Sequence, residues 1–369
     1  MWNGDGTTLF LKKQQSLFRY GLANGATDSR RVRLRTICVS VAAHNKENDS
    51  MKCPNCGSEQ SSGIDRAVAP NYSQWNRPTT SYHDVDMFLR WDAFQSGVHS
   101  ISFGEDLLDM MFIKKRSDTL LVVFNGSSPR GLGAVPPFFS GLGLISRLPC
   151  SMLCFSDPAL YLDKDITLSW YAGTKRTPFQ SIIPAIIDKV ASTAAKRVIF
   201  LGGSAGGFAS LYYATKINTP PVVVTWNPQT NIGKYNPDHI KQFVGVCFGW
   251  KEGENLNEAY SSVDSDVCRL YAEGTRPPVI FMQNASDWHV TVHASPFIES
   301  FGLCWTGADQ TEIGLYLHVG DWGQGHIAPP KALINRIIEH LCSWKGDWKS
   351  AVASATPLFA LNADIKTLA

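Results

Sequence analysis

The sequence lacks a membrane span, a strong charge of one sign and a dense cysteine framework, and each absence removes a class of function. Its longest notable uncharged stretch, Val198 to Thr215, is 18 residues, the length at which a span comes into question. Five of those residues (Gly202, Gly203, Ser204, Gly206 and Gly207) are glycine or serine at its centre, which a spanning helix would not concentrate there. The first thirty residues hold no apolar run of secretory-leader length, so the expected location is the cytoplasm. The 34 basic and 32 acidic side chains balance to a net charge of +2, too even to point to nucleic acid or an acidic membrane as partner. Nine widely spaced cysteines are odd in number, the pattern of free thiols rather than a disulfide scaffold.

What is present is a chain of 369 residues with 44% hydrophobic and 18% charged side chains, rich enough in apolar residues to bury a large core. Residues 1–66 read differently from the rest. They carry the basic cluster Arg30-Arg31-Val32-Arg33-Leu34-Arg35 and a polar stretch from His44 to Ser62, and the expectation is a flexible leader. Met51 would also make a sensible initiator, with Cys53 and Cys56 following it. Those two cysteines form one C-x-x-C, half of a zinc-ribbon signature. A structural zinc needs four ligands and no second C-x-x-C follows, so no metal or organic cofactor is expected.

From 67 to 369 the pattern is that of one folded domain. Leu107–Ile113 and Leu120–Phe124 flank the polar run 114–118 and read as a hairpin leading into a buried strand. Ser151–Phe155 is a further short strand. Thr177 and Pro178 are expected to open a helix, with Pro184 kinking it or marking its real start. Strands at Val198–Leu201, Val222–Trp226, Val279–Gln283 and Ile313–Val319 then alternate with helices at Ala205–Thr215, Pro237–Phe248, Ala294–Phe301 and around Leu333–Leu341. Such alternation predicts an α/β fold with a mostly parallel sheet.

The chemistry concentrates at Gly202-Gly203-Ser204-Ala205-Gly206, a G-x-S-x-G between a buried strand and a helix. A serine on so tight a turn projects its hydroxyl, and small residues two positions to either side let strand and helix approach. The helix start leaves free N–H groups for a developing oxyanion. A phosphate loop would also join strand to helix here, but G-x-G-x-x-G and G-K-[ST] are both missing and no lysine lies in the loop. A serine nucleophile requires a base, and the base an orienting acid. Asp287 follows the strand ending at Gln283, whereas Asp264 and Asp266 lack such a strand and Asp309 falls later. His318 lies inside a strand, and His293 stands close to Asp287 in sequence. His326, in a glycine-rich loop between the last strand and the last helix, is the expected base.

On the elbow, the acid loop and the histidine loop, in that order, residues of about 105–345 resemble the α/β-hydrolases. More narrowly, Phe124-Asn125-Gly126, Phe155-Ser156-Asp157-Pro158, Trp170-Tyr171-Ala172-Gly173, Trp226-Asn227-Pro228-Gln229 and Asp287-Trp288-His289-Val290 resemble accessory-secretion glycan O-acetyltransferases and related hydrolases associated with surface polysaccharides. The resemblance implies an oxyanion hole made by the Ala205 N–H with Gly126 or Ser127, and Asn125, His289 and Asn227 as candidate substrate contacts. The loop departs from the H-G-G-G form of many lipases. The segment of about 229–276 carries many charged residues and reads as a small polar cap. The expected activity is that of a serine esterase working through an acyl-enzyme on a small acyl ester, of a small molecule or a glycan. Acyl transfer to a polysaccharide hydroxyl, and a non-catalytic binding protein on the same fold, are the alternatives.

Overall fold

The computed structural model describes residues 67–128, 130–145, 147–274, 276–303 and 314–360. The basic cluster, Cys53, Cys56 and Asp309 lie outside them. Nine strands form one sheet: β1 (Thr79–Tyr82), β2 (Gly97–Phe103), β3 (Asp106–Ile113), β4 (Thr119–Phe124), β5 (Ser151–Phe155), β6 (Arg197–Gly203), β7 (Pro221–Trp226), β8 (Val279–Asn284) and β9 (Leu315–Gly320). Their spatial order is β1-β2-β3-β5-β4-β6-β7-β8-β9. From β5 through β4 to β9 every neighbour is parallel, while β3 pairs antiparallel with both β2 and β5.

The strands from β4 to β8 are apolar almost without interruption because both of their faces are covered. Successive side chains point to opposite faces, so each strand feeds two cores. Leu120, Val122, Phe124, Val198 and Phe200 pack with the helices Phe179–Ala194, Ala205–Ala214 and Pro237–Phe248. Leu121, Val123, Ile199 and Leu201 face the other way, onto Lys331–Ser343 and Trp348–Ala353.

Two expectations need correction. Leu107–Ile113 and Leu120–Phe124 do not form a hairpin, because β5 lies between them, with Met110–Ile113 registered against Met152–Phe155. A strand as apolar as β4 needs a partner on each side, and β5 and β6 supply them in parallel. The true hairpin is β2–β3, turned at Gly104, where φ is +67°. Its first strand looks polar, yet His99 is buried and bonded to the Tyr82 hydroxyl and the Gln95 carbonyl. The second correction concerns Thr177. The helix begins at Phe179 and runs unbroken through Pro184, while the Thr177 hydroxyl donates to Asp106 at 2.6 Å instead of capping. Pro184 falls early in the helix, where its missing N–H forfeits a single bond.

The segment of about 229–276 wears its charge outward, with Lys234, Asp238, Lys241, Lys251, Glu252, Glu254 and Glu258 exposed. Inward, Ile240, Phe243, Val244, Tyr260, Val267 and Tyr271 join the main core.

Candidate active site

Four loops that leave the carboxyl ends of neighbouring parallel strands carry the site residues, as crevices in such sheets do. The loop after β4 carries Asn125–Ser127, the turn after β6 carries Ser204, the loop after β7 carries Asn227–Gln229, and the loop after β8 carries Asp287. His326 follows β9, the next strand along.

Ser204 has φ +55° and ψ −124°, a conformation L-residues rarely adopt, between β6 and the helix Ala205–Ala214. The neighbouring glycines explain how the chain tolerates this turn. A Cβ on Gly202 would stand 2.2 Å from the Gly206 carbonyl oxygen, and one on Gly206 would stand 2.3 Å from that of Phe124. Strand, helix and the β4 loop therefore touch backbone to backbone. The turn is pinned through the serine's own main chain: its N–H donates to Trp226 O, and its carbonyl accepts from Gly207, Phe208 and Gln229. Gly126 lies beside it, since a Cβ there would sit 3.6 Å from that of Ser204. Ala205, buried, opens the helix, where first-turn N–H groups have no intrahelical acceptor.

Asp287 and His326, on the loops after β8 and β9, lie in contact. His326 Nδ1 lies 2.6 Å from Asp287 Oδ2, and the His289 N–H donates to Oδ1 at 3.0 Å. Burial pushes the Asp287 carboxyl up, but these hydrogen bonds outweigh it and hold the acid below its ordinary range. The Asp287 side chain is sealed off while that of His326 is 39% exposed, so the pair has a dry acid end and an open imidazole. Among the described residues no hydrogen bond joins Ser204 to His326; the Ser204 hydroxyl oxygen accepts from Gln229 Nε2 at 3.1 Å. Nucleophile–base contacts are often loose before substrate binds.

The other predicted residues fall into place differently. Asn125 is buried with its side chain turned inward, donating to Phe138 O at 2.6 Å and accepting from Ser140 N at 2.9 Å, and so shapes the loop rather than facing a ligand. Ser127 is exposed in that loop. Asn227, at φ +42°, ties three loops together: it accepts from the Asn284 N–H at 2.7 Å, donates to Ile327 O at 2.8 Å and lends its carbonyl to His289 Nδ1 at 3.0 Å. His289 is buried 4.5 Å from the His326 ring, centroid to centroid. Burial drives its pKa down to about 4, so it is neutral at pH 7. His293, rejected above as a base, lies buried against it and is pushed down to about 3, again chiefly by burial. His318 sits on β9 against Phe359.

Several residues escaped the sequence reading. The Asn284 amide donates to both Gly323 O (2.7 Å) and Gly325 O (2.6 Å), its oxygen accepts from Trp322 N, and Ser286 bonds Gly323 and Gly325 as well. These two side chains fasten the histidine loop to the acid loop. Trp288, 48% exposed, stacks on Tyr235 at 5.8 Å beside His289. Asn284 ends β8 and Ser286 follows it closely, and that position was the one signal available for them.

Asp287, His289 and His326 are also close enough to share a metal ion, with ligand atoms within 4.8 Å of one another. Asp287 Oδ2 is paired with His326 Nδ1 and His289 Nδ1 with the Asn227 carbonyl, and neither bond uses the Nε2 of an imidazole.

The strand order, with β3 antiparallel beside a parallel run, and the strained serine between β6 and its helix define an α/β-hydrolase fold. Solved structures with a similar fold include the capsule O-acetyltransferase of Neisseria meningitidis serogroup A, at TM-score 0.48 and 15% identity over 65% of this chain and 92% of that one. They also include the S-formylglutathione hydrolase from Agrobacterium tumefaciens (0.42, 16%, 66% of this chain and 90% of that one). A third is the Pyrococcus horikoshii acylaminoacyl peptidase (0.46, 12%, 73% of this chain and 45% of that one). No family model and no curated protein sequence matches the chain. Among the described residues no helix is long and apolar enough to cross a membrane.

Proposed function

We propose that this protein is a serine esterase that works through an acyl-enzyme at Ser204. The observation that carries the reading is the 2.6 Å bond between a sealed Asp287 and an open His326, on the loops after β8 and β9, at the same end of the sheet as a strained Ser204. Ser204 Oγ attacks the ester carbonyl and its proton passes to His326. Asp287 holds the imidazole in the tautomer that can accept that proton and balances the imidazolium formed. The carbonyl oxygen, now negative, is met by the Ala205 N–H and by an N–H of Gly126 or Ser127. His326 returns the proton to the leaving alcohol as the C–O bond breaks, and water then releases the acid by the same steps in reverse order. No metal or organic cofactor takes part, and activity is expected to survive exhaustive chelation. Residues 1–66 are dispensable for this chemistry, so a chain beginning near Ala67 retains it.

The substrate is a small acyl ester on a polar scaffold such as a sugar. The outward face of residues 229–276 is charged, whereas each methylene of a long chain must find apolar surface worth about 0.8 kcal/mol. An activated fluorophosphonate should label wild type and leave Ser204→Ala unlabelled; labelling that persists in the variant refutes the reading. A series of nitrophenyl esters, run with and without sugar acceptors, should fall in rate beyond butyryl. A steady rise toward palmitoyl contradicts the substrate class, a gain in rate or acylated sugar with acceptor marks transfer over hydrolysis, and no turnover of any ester marks a binding protein.

A further inference from the structure

Gln229 is fully buried, and both ends of its side-chain amide are engaged. Its Oε1 accepts from the indole N–H of Trp170, and its Nε2 lies 3.1 Å from Ser204 Oγ. The indole nitrogen can only donate, so the atom facing it must be the amide oxygen, and the atom facing Ser204 must be the NH₂. The orientation is thus fixed by chemistry and does not depend on telling nitrogen from oxygen by position. The backbone beneath is equally constrained. The Gln229 N–H donates to the Ser204 carbonyl at 3.1 Å, so side chain and main chain of one residue grip side chain and main chain of the other. Trp170 is held by its own anchor: its φ is +56°, and the preceding Ser169 binds the buried Asp157 through its N–H at 2.7 Å and through its hydroxyl. The Phe155–Pro158, Trp170–Gly173 and Trp226–Gln229 stretches, far apart in sequence, thereby converge under one oxygen atom.

A buried, preset N–H aimed at a serine oxygen has more consequence than packing. When Gln229 donates into Oγ, the hydroxyl's own hydrogen is left for another acceptor, and negative charge arising on that oxygen is met without any reorganisation. The tetrahedral oxyanion then lies one carbon away from Oγ, on the atom that received the electron pair.

We infer that Gln229 is a catalytic residue whose Nε2–H stabilises the negative charge that develops at Ser204 Oγ and on the adjoining oxyanion during acylation, with Trp170 as its positioning residue. The inference rests on the serine esterase reading. Gln229 gains and loses no proton: the Oγ proton goes to His326, the Oγ–C bond forms, and the donor only follows the charge.

The test uses full-length protein and two readouts, the rate of fluorophosphonate labelling at Ser204 and kcat and KM on a short-chain nitrophenyl ester. Loss of one donor of this kind costs about 10²- to 10³-fold in kcat. Gln229→Ala should therefore label at least about 100-fold more slowly and lose kcat to the same extent, with KM nearly unchanged. Gln229→Glu keeps the shape and the acceptor for Trp170, and so reads the donor in a folded protein whatever happens to the alanine variant. Its kcat should be low at pH 8, and its ratio to wild type should rise as pH falls, because a protonated carboxyl donates again. Wild-type labelling rates in Gln229→Glu, or a reduced ratio that stays flat with pH, overturn the inference and leave Gln229 a packing residue. Ser204→Ala separates the two claims: if it labels as wild type does, the esterase reading fails and this inference with it.

Discussion

The two halves of the site are built by different means. The serine half, around Ser204, is held by backbone against backbone: Gly202, Gly206 and the β4 loop touch with no room for a single added carbon, and the serine's own N–H and C=O carry four hydrogen bonds. The histidine half, around His326, is held by side chains. Asn284, Ser286 and Asn227 reach across from β7 and β8 to fasten an otherwise exposed loop that bears His326. A strained backbone needs a rigid surround, because strain persists only where neighbours over-determine it. In the proposed reaction the imidazole passes a proton to and from the substrate, which calls for an open position and a fixed angle, and hydrogen bonds to a loop supply both. The first half should therefore break all at once, and the second by degrees.

The largest effect expected is at the two side chains the proposed chemistry uses directly, one in each half. Ser204→Ala, and likewise His326→Ala, should lower kcat by roughly 10³- to 10⁶-fold, and the double variant by little more, as groups acting as one unit are not additive. Ester hydrolysis by the single and double variants checks this; fully additive losses would contradict the shared role. Next comes Gly206→Ala, whose Cβ meets carbonyl oxygens of Phe124 and Asn125 at 2.3 and 2.7 Å. Backbone cannot swing aside like a side chain, so the penalty should exceed about 3 kcal/mol, and urea unfolding should show the loss. A variant as stable as wild type would mean that the elbow is looser than drawn.

The side chains that support the second half should yield smaller and graded losses. Asn284→Ala frees two carbonyls and one N–H of the histidine loop, and displacement of a catalytic group by about 1 Å costs up to about 10²-fold. kcat should fall within that range while the melting temperature moves little, the opposite of Gly206→Ala.

Acid should separate the halves too. His289 and His293 are held neutral by burial, near 4 and 3 against an ordinary 6.5, so the unfolded chain binds protons that the folded one refuses. Their stabilisation is complete above pH 6.5 and is lost as pH falls from there toward 4, on the order of 3 kcal/mol for His289. Unfolding free energies at pH 7 and pH 4.5 measure this, and the drop should be smaller in His293→Gln. The least effect is expected of Trp288→Ala. An exposed ring at the rim contributes contact area alone, so KM should rise by only about two- to tenfold with kcat steady.

Local pattern alone made the Gly202–Gly206 turn, the run of buried strands, Asp287 and His326 legible. Short-range rules govern them: strand period, small residues at a tight turn, and loops placed after strands. Thr177 misled because its hydroxyl answers to Asp106, 71 positions away, and not to its own helix. The β3–β4 hairpin misled because adjacency in sequence is not adjacency in a sheet; β5, from further along the chain, takes the place between. Gln229 and His289 stood in quoted motifs without their present contacts, and Asn284 and the pairing of His289 with His293 had no signature at all. What an amide or an imidazole does depends on which donors and acceptors surround it, and those came from Trp170, Ser204, Gly323, Gly325 and Asn227 only once the chain had folded. The sequence by itself determined where the serine turn and the loops bearing Asp287 and His326 would sit along the chain, since turns and strands are local. Which polar groups face one another, and so what the histidines and amides can do, was decided by tertiary structure alone, because hydrogen bonding and burial are properties of neighbours in space.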